Sequence, residues 1–194
     1  MSELKTNKIS PATLTDVVLG DSGDTFTIPS GATITNSGTA TGFGKVVQVV
    51  NVQSGAVATG TGTISRDASI PQITEGDEYI TLAVTPTNAS NKLLVQAILL
   101  LGNSATVGIT ACLFNTDNDS SNALAGMTQI NGSGDWELCL VINYLVVAGT
   151  TSATTFRIRA GGSSAGTTTF NGVGAAVLHG AAIKSSITIT EISA

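Results

Sequence analysis

Ile80, Leu82 and Val84 alternate with Tyr79, Thr81, Ala83 and Thr85, and Pro86 ends the run. A period of two sends successive side chains to opposite faces, so this stretch buries one side as a strand and leaves the other to solvent. The pattern recurs twice. Phe156, Ile158 and Ala160 alternate with Thr155, Arg157 and Arg159, and Ile183, Ser185, Ile187 and Ile189 alternate with Lys184, Ser186, Thr188 and Thr190. With 29 threonines, 22 glycines and 19 serines among 194 residues, the chain favours pleated strands and tight turns over helices.

Residues 93–101, 107–114 and 138–147 are apolar on both faces. Such runs predict strands covered by a second sheet on one side and by a neighbouring subunit on the other. A helix is the rival for 93–101, disfavoured by Gly102 and the β-rich surroundings. Two weaker strands, 46–52 and 56–64, are expected to pair as a hairpin through Gln53-Ser54-Gly55. Seven or eight strands joined by Gly, Ser, Asn and Thr loops predict an all-β antiparallel sandwich, jelly-roll-like, over residues 45–194.

Residues 1–44 read differently. Leu19, Phe26, Ile34 and Phe43 are widely spaced, with turn signals at 20–23, 29–31 and 36–38 between them. Short strands of this kind offer one or two residues each for burial, while ordering each residue costs roughly 1–2 kcal/mol of backbone entropy. The segment therefore has to pack on other surface. Three or more copies wound about a common axis would supply it, with Leu19, Phe26, Ile28, Ile34 and Phe43 as the shared core.

The hydrophobic fraction is 42% against 11% charged residues, which raises the question of a membrane. The two most apolar stretches, 93–101 and 138–148, are less than the roughly 20 residues of a spanning helix, and eight aromatic residues are too few for the girdles of a membrane barrel. No membrane insertion is expected. The eight Lys and Arg are dispersed in a chain of net charge −5, so nucleic acid is not an expected partner either. The charged start, Met-Ser-Glu-Leu-Lys, lacks the apolar run of a secretory signal, and Cys112 and Cys139 are expected as buried thiols rather than a disulfide.

Candidates for chemistry are sparse, and neither a cofactor nor an enzymatic activity is expected. His179 has no second histidine or motif-borne nucleophile and reads as a strand histidine. Asn115, Asp117, Asp119 and Asn122 gather oxygen ligands of the kind calcium takes, with Asp117, Asp119 and Asn122 the weak metal candidates, but the Gly and terminal Glu of an EF-hand loop are missing. A pair of carboxylates for glycoside cleavage could come from Glu75, Asp77, Glu78, Asp135 and Glu137. Trp136, Tyr79 and Tyr144 are a thin supply of aromatic platforms for such a groove.

Several runs resemble tail-fibre-like virion proteins of marine bacteriophages: SELKTNKISPAT (2–13), LGDSGDTFTIPSGATITNSGTATGFG (19–44), TEGDEY (74–79), TPTNASNKLL (85–94), AGTTSATTFRIRAGG (148–162), GTTTFNG (166–172) and SSITITEIS (185–193). Residues 95–149 and 14–18 depart from the pattern. The resemblance implies a trimeric fibre-like subunit, assembled in the host cytoplasm into the virion. Its N-terminus would attach to other virion proteins and its sandwich would display loops to a host receptor or glycan. Asn115, Asp117, Asn131, Asp135 and Asn171 are the contact candidates, because loops on a rigid scaffold carry recognition. The rivals are a capsid decoration or cement protein, a host-encoded cytokine-like or carbohydrate-binding sandwich, and a depolymerase.

Overall fold

The computed structural model describes residues 22–25, 27–33, 35, 37, 45–115, 121–130, 132 and 136–194. Residues Gly44–Ala194 form one compact unit. Its strands begin with β1 (Val46–Ser54), β2 (Ala58–Gly60), β3 (Asp77–Val84), β4 (Lys92–Asn103), β5 (Gly108–Asn115) and β6 (Ala125–Ile130). They continue with β7 (Trp136–Val147), β8 (Thr154–Gly162), β9 (Thr168–Phe170), β10 (Gly172–Val173), β11 (Ala176–Val177) and β12 (Ser185–Ile192).

The strands form two main antiparallel sheets and a small two-stranded one, β10–β11. In the first, β1 pairs with β12 and β12 with β4, while β7 runs the full length of β4 on its other edge. β9 continues the line of β12 along β4, and β2 pairs with β9. The second sheet has the order β3-β8-β5-β6. Apart from the β5–β6 connection, each link from β3 to β8 crosses between the sheets, which is the winding of a jelly roll.

Alternation sets the core. Leu93, Val95, Ala97, Leu99 and Leu101 of β4 face Ile109, Ala111 and Leu113 of β5, with Leu140, Ile142, Ile187 and Ile189 beside the former and Ile80, Val84, Phe156 and Ile158 beside the latter. Each such large side chain removed from water contributes roughly 1.5–3 kcal/mol. Tyr79 stacks on Phe170 at 5.3 Å and donates to the Thr168 carbonyl at 3.3 Å, closing the sandwich where β9 meets β3. Burial pushes the Tyr79 hydroxyl pKa up, with Asp77 adding to the shift.

Three sequence expectations are corrected here. β1 and β2 do not pair as a hairpin; their partners, β12 and β9, lie more than a hundred residues further along the chain. The turn-like Gln53-Ser54-Gly55 is instead where the chain steps from one partner to the next. Second, β5 is buried on both faces, but its outer cover belongs to the same chain. Residues 61–76 strap across it: Ile64 and Ile73 pack on Cys112 and Phe114, Ile64 N–H donates to the Gly162 carbonyl (3.0 Å), and Arg159 donates to the carbonyls of Glu75 and Gly76 (2.9 and 2.6 Å). Third, His179 is not in a strand. It lies exposed in a turn, His179–Ala181, where His179, Gly180 and Ala181 all have left-handed φ (48°, 60° and 65°).

The strap lies so close to β8 that a Cβ on Gly161 would sit 2.3 Å from the Gly62 carbonyl oxygen. Backbone on both sides leaves no flexible group to give way. Gly161→Ala is therefore expected to lower stability by about 2 kcal/mol, read as a shift in the urea midpoint at unchanged slope.

In the N-terminal unit the described residues form turns at two of the expected places. Gly23 has φ 98°, and Ala32 N–H donates to the Pro29 carbonyl at 3.1 Å around Gly31 at φ 86°, as a type II turn requires. The short strands expected there are absent among the described residues of 22–37, all of which are exposed in the single chain.

Candidate interaction surface

The residues nominated from sequence do not converge. Leu19, Phe26, Ile34, Phe43, Asp117, Asp119, Asn131 and Asp135 lie outside the described residues, and Ile28 is 38% exposed in the single chain. Asn122 uses its amide oxygen to accept from Gln72 Nε2 at 2.8 Å, fastening the strap to residues 121–123. Among the glycosidase candidates, Glu75 accepts from the Gln72 N–H (2.6 Å), Asp77 from the Gly62 N–H (2.6 Å), and Glu78 pairs with Arg157 (3.2 Å). Each of these three carboxylates thus has a structural partner.

Two contact candidates are corrected. Asn115 is buried at the end of β5, and Asn171 has no exposed surface. Asn171 takes left-handed φ (58°) and donates to the carbonyls of Ser54 (2.8 Å) and Ala56 (3.1 Å). Its Oδ1 accepts from the N–H and hydroxyl of Ser185 (3.0 and 2.7 Å). All four amide hydrogen-bonding positions are filled from within, so it ties the end of β1 and the link to β2 to the start of β12 rather than facing a partner.

Both thiols are free. Cys112 is buried as expected, and burial, helped by Glu75, raises its pKa to about 11. Cys139 is exposed, because alternation along β7 turns it outward opposite Leu100.

That outward direction leads to the surface sequence reasoning located only in part. On the outer face of the first sheet, the pairing brings side chains into rows. Val49, Thr190, Leu94 and Leu145 form one, and Asn51, Thr188, Gln96 and Asn143 the next. Gln53, Ser186, Ile98 and Val141 form a third, followed by Leu100 beside Cys139. The amide row is bonded along itself, Asn51 Nδ2 to Thr188 Oγ1 (2.8 Å) and Gln96 Nε2 to Asn143 Oδ1 (3.0 Å). A shallow groove of about 220 Å³ runs between Gln96, Ile98, Val141, Asn143, Ser186 and Thr188. Ile98 is 49% and Leu145 52% exposed. None of these rows holds a charged residue, in a protein of net charge −5.

Glu191 lies at one end of this sheet, pointing inward with no exposed surface. Burial would raise its pKa, but the hydrogen bonds to its carboxylate prevail. Asn91 Nδ2 (2.6 Å), Gln48 Nε2 (2.5 Å), and the Thr87 hydroxyl and N–H (both 2.8 Å) donate to the carboxylate and bring its pKa down to about 2.

No protein-family model matches the chain, and no curated protein does. Solved structures similar to it include the Eiger TNF of S. frugiperda, with 12% identity and TM-score 0.44 over 75% of this chain and 93% of that one. The infectious bursal disease virus VP2 subviral particle matches at 11% identity and TM-score 0.37, over 75% of this chain and 32% of that one. The enzymatically active domain of tailspike protein 4 of bacteriophage CBA120 matches at 15% identity and TM-score 0.27, over 64% of this chain and 19% of that one. The chain thus spans about a third or less of the two viral chains.

Proposed function

We propose that this chain is a non-enzymatic virion structural protein: a fibre-like subunit that assembles as a homotrimer, attaches to the particle through residues 1–44 and presents its sandwich to the host surface. The observation that carries the assembly is the uncharged middle of the outer face of β1, β12, β4 and β7, between Lys92 at one end and Glu137 at the other. Copies of an acidic protein repel one another, and this face is where two copies meet without bringing like charges together. Its aliphatic rows gain from leaving water, and its amides are already bonded to each other, so burying them leaves few donors without a partner. The virion role rests on the phage-like runs in both parts of the chain, and trimeric display would let weak host contacts act together.

Light scattering tests this directly. The full chain is expected at three times 19.4 kDa and Val141→Asp at 19.4 kDa with its strand circular-dichroism spectrum retained, because Val141 is exposed within one subunit, while its thermal midpoint falls by the stabilisation that assembly supplied. A wild-type monomer at micromolar concentration overturns the proposal. Labelling of the particle separates the two virion readings: signal on the tail supports the fibre, and signal across the shell makes the protein a decoration or cement subunit.

A further inference from the structure

On the opposite side of the sandwich, the strap and the outer face of the second sheet border an open, mostly polar cavity of about 350 Å³ lined by Ser65, Arg66, Asp67, Ser69, Pro71, Thr110 and Thr128. The geometry points to this cavity as a binding site for a single sugar ring carrying a carboxylate. Four observations converge on it.

Arg66 makes no ion pair or hydrogen bond among the described residues, yet its stem lies flat across Gly108: a Cβ there would fall 2.6 Å from Arg66 Cδ. The exposed guanidinium keeps its planar fork of donors available beside the cavity, the geometry that takes a carboxylate through two parallel bonds. Asp67 binds Ser69 through Oδ1, accepting from its N–H (2.8 Å) and its hydroxyl, which leaves Oδ2 as an acceptor for a ring hydroxyl. Thr110 and Thr128 share one hydrogen bond at 2.8 Å, so one of the two hydroxyls keeps a proton to donate outward. The Ser65 hydroxyl is likewise unengaged among the described residues. An anion fork, a carboxylate acceptor and several hydroxyls fit a polyol bearing one negative charge. An apolar ligand would find few partners, and the volume lies at the small end of ligand sites.

The assignment deepens the host-surface reading and rests on it for the source of the ligand, but the cavity can be tested alone. Amide spectra of the ¹⁵N-labelled full chain are titrated with glucuronate, glucose and sulfate. The expected result is saturable movement of the Ser65, Arg66, Asp67, Ser69, Thr110 and Thr128 signals with glucuronate, and at least tenfold weaker binding of glucose and of sulfate. Arg66→Ala should weaken glucuronate at least tenfold. Gly108→Ala should do so too, by lifting the arginine stem while the arginine itself remains. Unchanged thermal midpoints in both variants guard against misfolding. Glucuronate binding that Arg66→Ala leaves intact, or that moves other amides only, overturns the site, and sulfate binding as tightly as glucuronate reduces it to a simple anion site. A trimer that fails to bind glucuronate sinks this assignment and leaves the fibre reading standing, whereas a monomer that binds it does the reverse.

Discussion

Glu191→Ala is expected to lower stability by on the order of 3 kcal/mol at neutral pH, because it removes at one stroke the acceptor of the Thr87 N–H and hydroxyl and of one bond each from the side-chain amides of Gln48 and Asn91. Glu191→Gln keeps the shape but turns an NH₂ towards donors, and should lose about half as much. The pH dependence separates the charge from the shape. The folded pKa of about 2 lies below the ordinary value of 4.5, so between these values the unfolded chain binds the proton that the folded one refuses. The contribution of Glu191 is therefore complete above about pH 5 and declines as the pH falls from there through 2. Urea midpoints taken at one protein concentration at pH 7, 4.5, 3 and 2.5 should fall more steeply for the wild type than for Glu191→Gln. Parallel curves would mean that the carboxylate does not hold its proton affinity down in the folded protein.

A signal for Glu191 was present in the sequence. The alternation Ile187, Ile189 places position 191 on the buried face, and a carboxylate there demands donors. Period-two patterns made the strands around Ile80, Phe156 and Ile187 legible for the same reason: one sheet face selects its residues locally. Apolarity on both faces identified β4, β5 and β7 as strands but not what covers their outer sides. For β5 the cover is Ile64 and Ile73, isolated apolar residues in a polar stretch whose value appears only once the strap crosses the sheet. For β7, Val141 and Leu145 remain exposed, and no local pattern distinguishes these two cases. The pairing of β1 was illegible because Gln53-Ser54-Gly55 suits a hairpin, while the true partner contributes through contacts more than a hundred residues away. The Arg66 cavity was hidden for a similar reason, since it draws on residues 65–69, 110 and 128 and has no motif in one dimension.

Asn171→Ala is expected to cost about 3–4 kcal/mol, the larger of the single-site losses, since it removes all four amide bonds and places a Cβ-bearing apolar residue at φ 58°. Asn171→Gly removes the same bonds but accepts the left-handed conformation, so it should be about 1 kcal/mol more stable than the alanine variant. That difference isolates backbone strain from the lost bonds. The position matters beyond stability, because Asn171 binds the chain at Ser54 and Ala56, where β1 hands over to β2, and at Ser185, where β12 begins. Loosening it frees the register of the strands that carry Asn51, Gln53, Ser186 and Thr188 on the proposed assembly face. Asn171→Gly should therefore weaken the proposed trimer, measured by light scattering across a dilution series, at temperatures where its sandwich is still folded. A variant that is destabilised yet dissociates at the wild-type concentration would show that the face does not depend on this junction.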